Sequence, residues 1–160
     1  MYTIAPTAIN DADLTALIAR LDAYQESLYP AESNHLVDLS QLAAESVIVL
    51  LIRDARQRAV GCGAIVLGND GVGEMKRVFI DPHHRGQQLG ERLLAALETQ
   101  ALHRDCHTVR LETGIHQQAA IRLYTRWGYQ TRIAFAPYQP DPLSLFMEKL
   151  LVADLRSAAL

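Results

Sequence analysis

The stretch 73–97, GEMKRVFIDPHHRGQQLGERLLAAL, restricts the fold more than any other part of the chain. Val78, Phe79 and Ile80 are β-branched or aromatic and predict a buried strand. Asp81-Pro82 stops that strand, because proline has no N–H to give to a ladder. Leu89, Leu93 and Leu97 then recur at i, i+4 and i+8, with Leu94 and Ala101 beside them, and predict an amphipathic helix. Arg85-Gly86-Gln87-Gln88-Leu89-Gly90 joins the two. Its small residues let backbone N–H groups at a helix start face a ligand, an arrangement that suits a phosphate.

The rest of the chain must cover this strand–turn–helix unit. At 160 residues it is long enough for one domain with a full core and short for two, so residues 1–160 are expected to form a single domain. With 49% hydrophobic and 21% charged residues the chain is of the ordinary globular kind. A net charge of −3 supplies no basic field for nucleic acid or an anionic membrane surface. No apolar run reaches the length of a membrane span, and residues 1–14 lack the pattern of a signal peptide. Cys62 and Cys106 lie far apart in strand-like runs and read as buried small hydrophobes in a reducing compartment, so the expected location is the cytoplasm. His83, His84, His107 and His116 show no zinc-site spacing, and no metal is expected.

Taken in order, residues 2–5 predict a short strand closed by Pro6. Asn10 or Asp11 caps a helix that carries Leu14, Leu17, Ile18 and Leu21 and ends near Leu28. Residues 27–35 read as a loop, and a short helix follows from Asp38 or Ser40 to Glu45. The run 46–52 is apolar throughout, a strand buried on both faces. Residues 59–67 form its antiparallel return, with Gly61 and Gly63 marking a bulge or a close backbone approach. A turn at 68–71 leads into the opening unit. Strand 107–112, helix 117–127 with Gly128 as its C-terminal glycine, and strands 129–135 and 143–150 complete the chain. The expected class is α/β of mixed α+β character, with a central mixed sheet and helices on both faces.

The motif at 85–90, after a strand ending in Ile80-Asp81-Pro82, resembles the acyl-CoA-binding motif of the GNAT superfamily of N-acetyltransferases, Gln/Arg-x-x-Gly-x-Gly/Ala. Arg85 and Gly90 match, and Gln88 stands at the middle glycine. Gln117-x-x-Ala120-x-x-Leu123-Tyr124, then Gly128-Tyr129, resembles the family's Asn-x-x-Ala-x-x-Leu-Tyr…Gly-Phe pattern. The resemblance covers nearly the whole chain. It implies a GNAT-like domain whose largely antiparallel sheet has about six to seven strands, one pair parallel and splayed. It also implies acetyl-CoA as cosubstrate, an amine as acceptor, and transfer by direct attack in a ternary complex.

On that resemblance Val78, Phe79 and Ile80 offer main-chain groups to pantetheine. Residues Gly86, Gln87, Gln88, Leu89, Gly90 and Glu91 supply N–H groups to the pyrophosphate. Arg85 flanks them as a cation, and the Gln117 amide contacts the CoA arm. Tyr124 would protonate the departing thiolate, a sensible role for a phenol. Glu74 ranks first as the base, with Glu112 its rival at the end of the parallel neighbour. The amine pocket points to Tyr29, Glu32, Ser33, Asn34, His35, Tyr138 and Asp141. Two other readings stay open: a non-catalytic acyl-CoA-binding regulatory module, motivated by Gln88, and a protein lysine or N-terminal acetyltransferase. Exposed final strands would allow a homodimer.

Overall fold

The computed structural model describes residues 1–30 and 38–151. Seven strands form one sheet in the order β1-β2-β3-β4-β5-β7-β6. They are β1 (Thr3–Pro6), β2 (Val47–Arg53), β3 (Ala59–Leu67), β4 (Val72–Ile80), β5 (Thr108–Gly114), β6 (Gln130–Arg132) and β7 (Ser144–Leu150). Three helices pack on it: α1 (Ala12–Leu28), α2 (Leu89–His103) and α3 (Gln118–Arg126). Every strand pairing is antiparallel except β4 with β5.

The helices divide between the faces. Leu14 and Leu17 of α1 pack with Val47, Val49, Leu51, Cys62 and Ala64 on one side of the sheet. Leu89, Leu93, Leu94 and Leu97 of α2 pack with Ile48, Leu50, Ile52, Val109 and Leu111 on the other, joined by Tyr124 of α3. Successive β2 residues alternate between these cores, and Val47 through Ile52 are all buried, as a strand sandwiched between helix layers requires. Removing one fully buried α2 leucine by a change to alanine costs about 2–5 kcal/mol in such packing. At Gly63 the leucines of α2 lie close over the sheet. A Cβ there would lie 3.0 Å from Leu97 Cδ1 and 3.2 Å from Leu93 Cδ2.

Two bulges are present: one in β3 beside Gly61, where Ile52 and Arg53 of β2 face Gly61 and Ala59 and Val60 is the extra residue, and one opposite Gly63, on the partner strand β4. Cys62 and Ala64 of β3 face Phe79 and Lys76 of β4, so β4 carries one extra residue. Arg77 sits in that bulge at φ 58, in the left-handed region. The extra residue repeats a face. Arg77 joins Lys76 on the α1 side, where it pairs with Asp22 of α1 at 3.2 Å. Val78 and Ile80 then pack toward the α2 core and Phe79 toward the α1 core.

Several boundaries differ from expectation. The segment 38–46 makes two 3-10 turns, Leu39–Gln41 and Ala44–Ser46, where a short helix was expected. Pro6 belongs to β1, which is tolerable because β1 is an edge strand. The predicted strand 129–135 shortens to Gln130–Arg132, and Ile133 beyond it is 80% exposed. Gly128 follows α3 at φ 100, the position expected of a C-terminal glycine. Both cysteines are free and buried. No helix among the described residues is long and apolar enough to cross a membrane.

Candidate active site

The parallel pairing of β4 and β5 is short. It runs from Val72 opposite Thr108 to Met75 opposite Leu111 and then stops. Past that point the strands separate, and the β5-facing edge of Val78–Ile80 has no strand partner among the described residues. A cleft of about 760 Å³ opens along this edge. Val78, Phe79 and Ile80 form one wall and Gln117 of the β5–α3 connection lies on the other. Arg85, Gly86, Gln88, Leu89, Gly90 and Glu91 continue the lining at the start of α2. Thus the two halves of the expected cofactor site, far apart in the chain, share one cleft. Gln87 is exposed and is not part of the lining.

Gln88 is the N-cap of α2 and adopts φ 58, ψ 25, the left-handed conformation that glycine enters freely. Its side chain makes no capping hydrogen bond and is exposed. The motif's middle glycine is therefore a conformational requirement here, and glutamine meets it at a strain of roughly 1–2 kcal/mol. Gly86 has φ 82, and a Cβ added there would meet nothing within 4 Å, so it too is needed for its backbone. Gly90 answers to space: a Cβ would lie 2.8 Å from Leu123 Cδ2 of α3. The Gln117 carboxamide oxygen accepts the Gly114 N–H at 3.0 Å, which fixes the side chain over the end of β5.

Tyr124 is buried in the α2-side core, outside the cleft lining formed by its α3 neighbours Ala120 and Leu123, and meets Tyr129 edge-on. Its hydroxyl makes no hydrogen bond among the described residues. Burial first, and then the nearby Glu112 charge, push its phenol well above the ordinary range. Burial likewise raises Tyr29 and Tyr138, and Glu112 contributes to both. One carboxylate is thus felt by three tyrosines that come from three separate elements. Glu112 stands just past the last β5 residue paired with β4, while still paired with Phe146 of β7, and accepts the Ser144 hydroxyl at 2.7 Å.

Glu74 lies within the paired segment, opposite Arg110. Lys76 Nζ approaches its carboxylate at 3.0 Å, and the Tyr138 hydroxyl donates to it. Lys76 also donates to Tyr138 at 2.7 Å. Tyr138 is packed among Phe135 and Phe146. Tyr29, just after α1, accepts the His116 N–H and packs on Gly114. Glu32, Ser33, Asn34 and His35 lie outside the described residues. Arg20, Tyr24, His84, His116 and Arg126 also line the cleft, and none of them was expected at the cofactor from the sequence. Arg20 and Tyr24 share an α1 face one turn apart, a signal of the kind that helical spacing could have supplied.

A model of the acetyltransferase (GNAT) family matches residues 14–129. An IAA acetyltransferase of Azospirillum brasilense is 46% identical over 150 residues, covering 93% of this chain and 97% of that protein. A solved chain from Klebsiella pneumoniae, assigned by name to the acyl-CoA N-acyltransferases, is 67% identical with a TM-score of 0.87, covering 95% of this chain and 99% of its own. PaiA N-acetyltransferase of Thermoplasma acidophilum, solved in complex with coenzyme A, shares the fold at 16% identity and a TM-score of 0.70, over 94% and 99% of the two chains. The chain belongs to the GNAT acetyltransferase family, and it is an acyltransferase.

Proposed function

We propose that the protein moves an acetyl group from acetyl-CoA to a primary amine of a small molecule or peptide, by direct attack in a ternary complex. What supports this reading is the open edge of Val78–Ile80 beside the α2 N-terminus, with Glu74 just before and Glu112 just after the last paired residues, Met75 and Leu111, and with the Glu112 charge acting on Tyr124. An extended pantetheine arm pairs with that edge as an added strand would. The amides that open α2 and the helix's partial positive charge receive the pyrophosphate. Arg85 stands beside them as a cation, and the solved relative that holds coenzyme A has the same fold.

The amine enters from the α1 side of the sheet. Glu74 accepts its proton, with Tyr138 in hydrogen-bond contact, and Glu112 is the rival acceptor. The neutral amine attacks the thioester carbonyl, and a main-chain N–H near Phe79 or Ile80 holds the oxyanion. Collapse breaks the C–S bond, and Tyr124 gives its proton to the leaving thiolate. The phenol that burial keeps protonated is the form a general acid needs. Tyr29 and Tyr138 bound the acceptor side, and the family resemblance adds residues 32–35 to them. The test is to mix the protein with acetyl-CoA and a panel of amines, amino acids and peptides. Release of coenzyme A together with an N-acetylated product supports the reading, and binding of acetyl-CoA without any turnover favours the regulatory alternative.

A further inference from the structure

Glu74 and Lys76 lie two residues apart on β4 and point to the same face, since Met75 between them packs into the α2 core. Their charged groups meet at 3.0 Å, and both side chains still reach solvent, Glu74 at 20% and Lys76 at 10% exposure. Lys76 and the Tyr138 hydroxyl bind the same carboxylate oxygen, Oε2. The other oxygen, Oε1, has no hydrogen bond or ion pair among the described residues. Two of the three Lys76 N–H groups go to Glu74 and to Tyr138 at 2.7 Å, which leaves one donor. The neighbouring cations are committed elsewhere: Arg77 pairs with Asp22, while Arg110 and Arg132 share Glu148. An open carboxylate oxygen and an open ammonium donor thus stand side by side, next to the end of the β4–β5 ladder.

We propose that the acceptor is an α-amino acid, or a closely related molecule with a carboxylate beside its primary amine, and that Lys76 binds the carboxylate while Glu74 Oε1 receives the amine. This rests on the acetyl-transfer reading with Glu74 as the base. An acceptor that brings only an ammonium group fits poorly, because it would set a second cation on a carboxylate that Lys76 already neutralises. A carboxylate next to that ammonium offsets the repulsion and takes the remaining Lys76 donor in a charge-assisted hydrogen bond. The two charges of an α-amino acid are about as close together as those of Glu74 and Lys76, so the two pairs dock head to tail.

The experiment compares kcat/KM for α-amino acids and for their α-amides at saturating acetyl-CoA, in the wild type and in Lys76→Met, with melting temperatures as the folding control. An amide loses only the carboxylate charge, and its less basic amine is intrinsically the easier one to deprotonate. The proposal expects the wild type to favour an accepted amino acid over its amide by about tenfold or more, the worth of one hydrogen bond between charged groups. Lys76→Met should largely erase that ratio by raising the KM for the amino acid, and should leave the KM for acetyl-CoA unchanged. Equal or better use of the amides by the wild type overturns the inference and leaves the transfer reading standing, and this comparison needs no variant. A ratio unchanged in a folded Lys76→Met protein overturns it as well, since Lys76 then only braces Glu74. Acetylation of no acceptor at all overturns the inference and the transfer reading together.

Discussion

The Tyr29 hydroxyl accepts the His116 backbone N–H at 3.0 Å while the two rings stack with centroids 5.5 Å apart. This contact spans 87 residues of chain and ties the end of α1 to the connection between β5 and α3. His116 lines the cleft, so one residue meets the cleft on one side and Tyr29 on the other. The arrangement depends on Gly114, where a Cβ would fall 1.8 Å from the Tyr29 hydroxyl. Gly114→Ala should force Tyr29 out, lower stability by roughly 1–3 kcal/mol, and raise the KM for amine more than the KM for acetyl-CoA. Melting curves and initial rates check both expectations.

Tyr124→Phe should lower kcat by on the order of 10²-fold and leave acetyl-CoA affinity unchanged, because the ring stays and only the acid is lost. The pH profile carries the same information. Burial lifts the phenol above its ordinary value. A general acid works in its protonated form, below its pKa, and activity falls as pH rises through it. With that pKa raised, Tyr124 should impose no alkaline loss of rate up to about pH 10, the ordinary phenol value.

The two carboxylates separate by mutation. Glu74→Gln should lower kcat on the order of 10²-fold, with a smaller effect of Glu112→Gln. The reverse order, measured as kcat with saturating amine, would transfer the role of base to Glu112. Lys76→Met offers an independent check, since Lys76 contacts both Glu74 and Tyr138.

Gln88→Gly should raise stability or leave it unchanged. Relief of the left-handed strain favours the variant by roughly 1–2 kcal/mol, and the added freedom of the unfolded chain opposes it by about 0.4–1 kcal/mol. Acetyl-CoA binding should persist, because the N-cap side chain is exposed and bonds to nothing in the helix start. Thermal melts with and without ligand read both quantities.

Much of the fold was legible because its signals are local. The apolar run at β2, the leucines of α2 and the β3 bounds of Ala59–Leu67 follow from periodicity and turn residues. The splayed pair came from family resemblance, and the end of the ladder at Met75 and Leu111 now gives it a place. Gly61 marks a bulge that β3 does carry, at Val60, whereas the bulge at Arg77 escaped because a non-glycine residue holds the positive φ across the ladder from Gly63. Strand β6 is shorter than its sequence suggests because Ile133 is apolar yet exposed. The Glu74–Lys76–Tyr138 cluster was beyond reach, since its outer members are 64 residues apart and Lys76 carries no motif. Gln88 looks like a misfit by its side chain, whereas its backbone is what the motif requires.

The most direct measurement of the central claim follows coenzyme A release and protein mass with acetyl-CoA alone and then with primary amines added. Direct transfer in a ternary complex predicts unmodified protein and negligible release without amine, then rapid release and an N-acetylated acceptor once a suitable amine is present. An acetylated enzyme intermediate, or no release with any amine although acetyl-CoA binds, would contradict it.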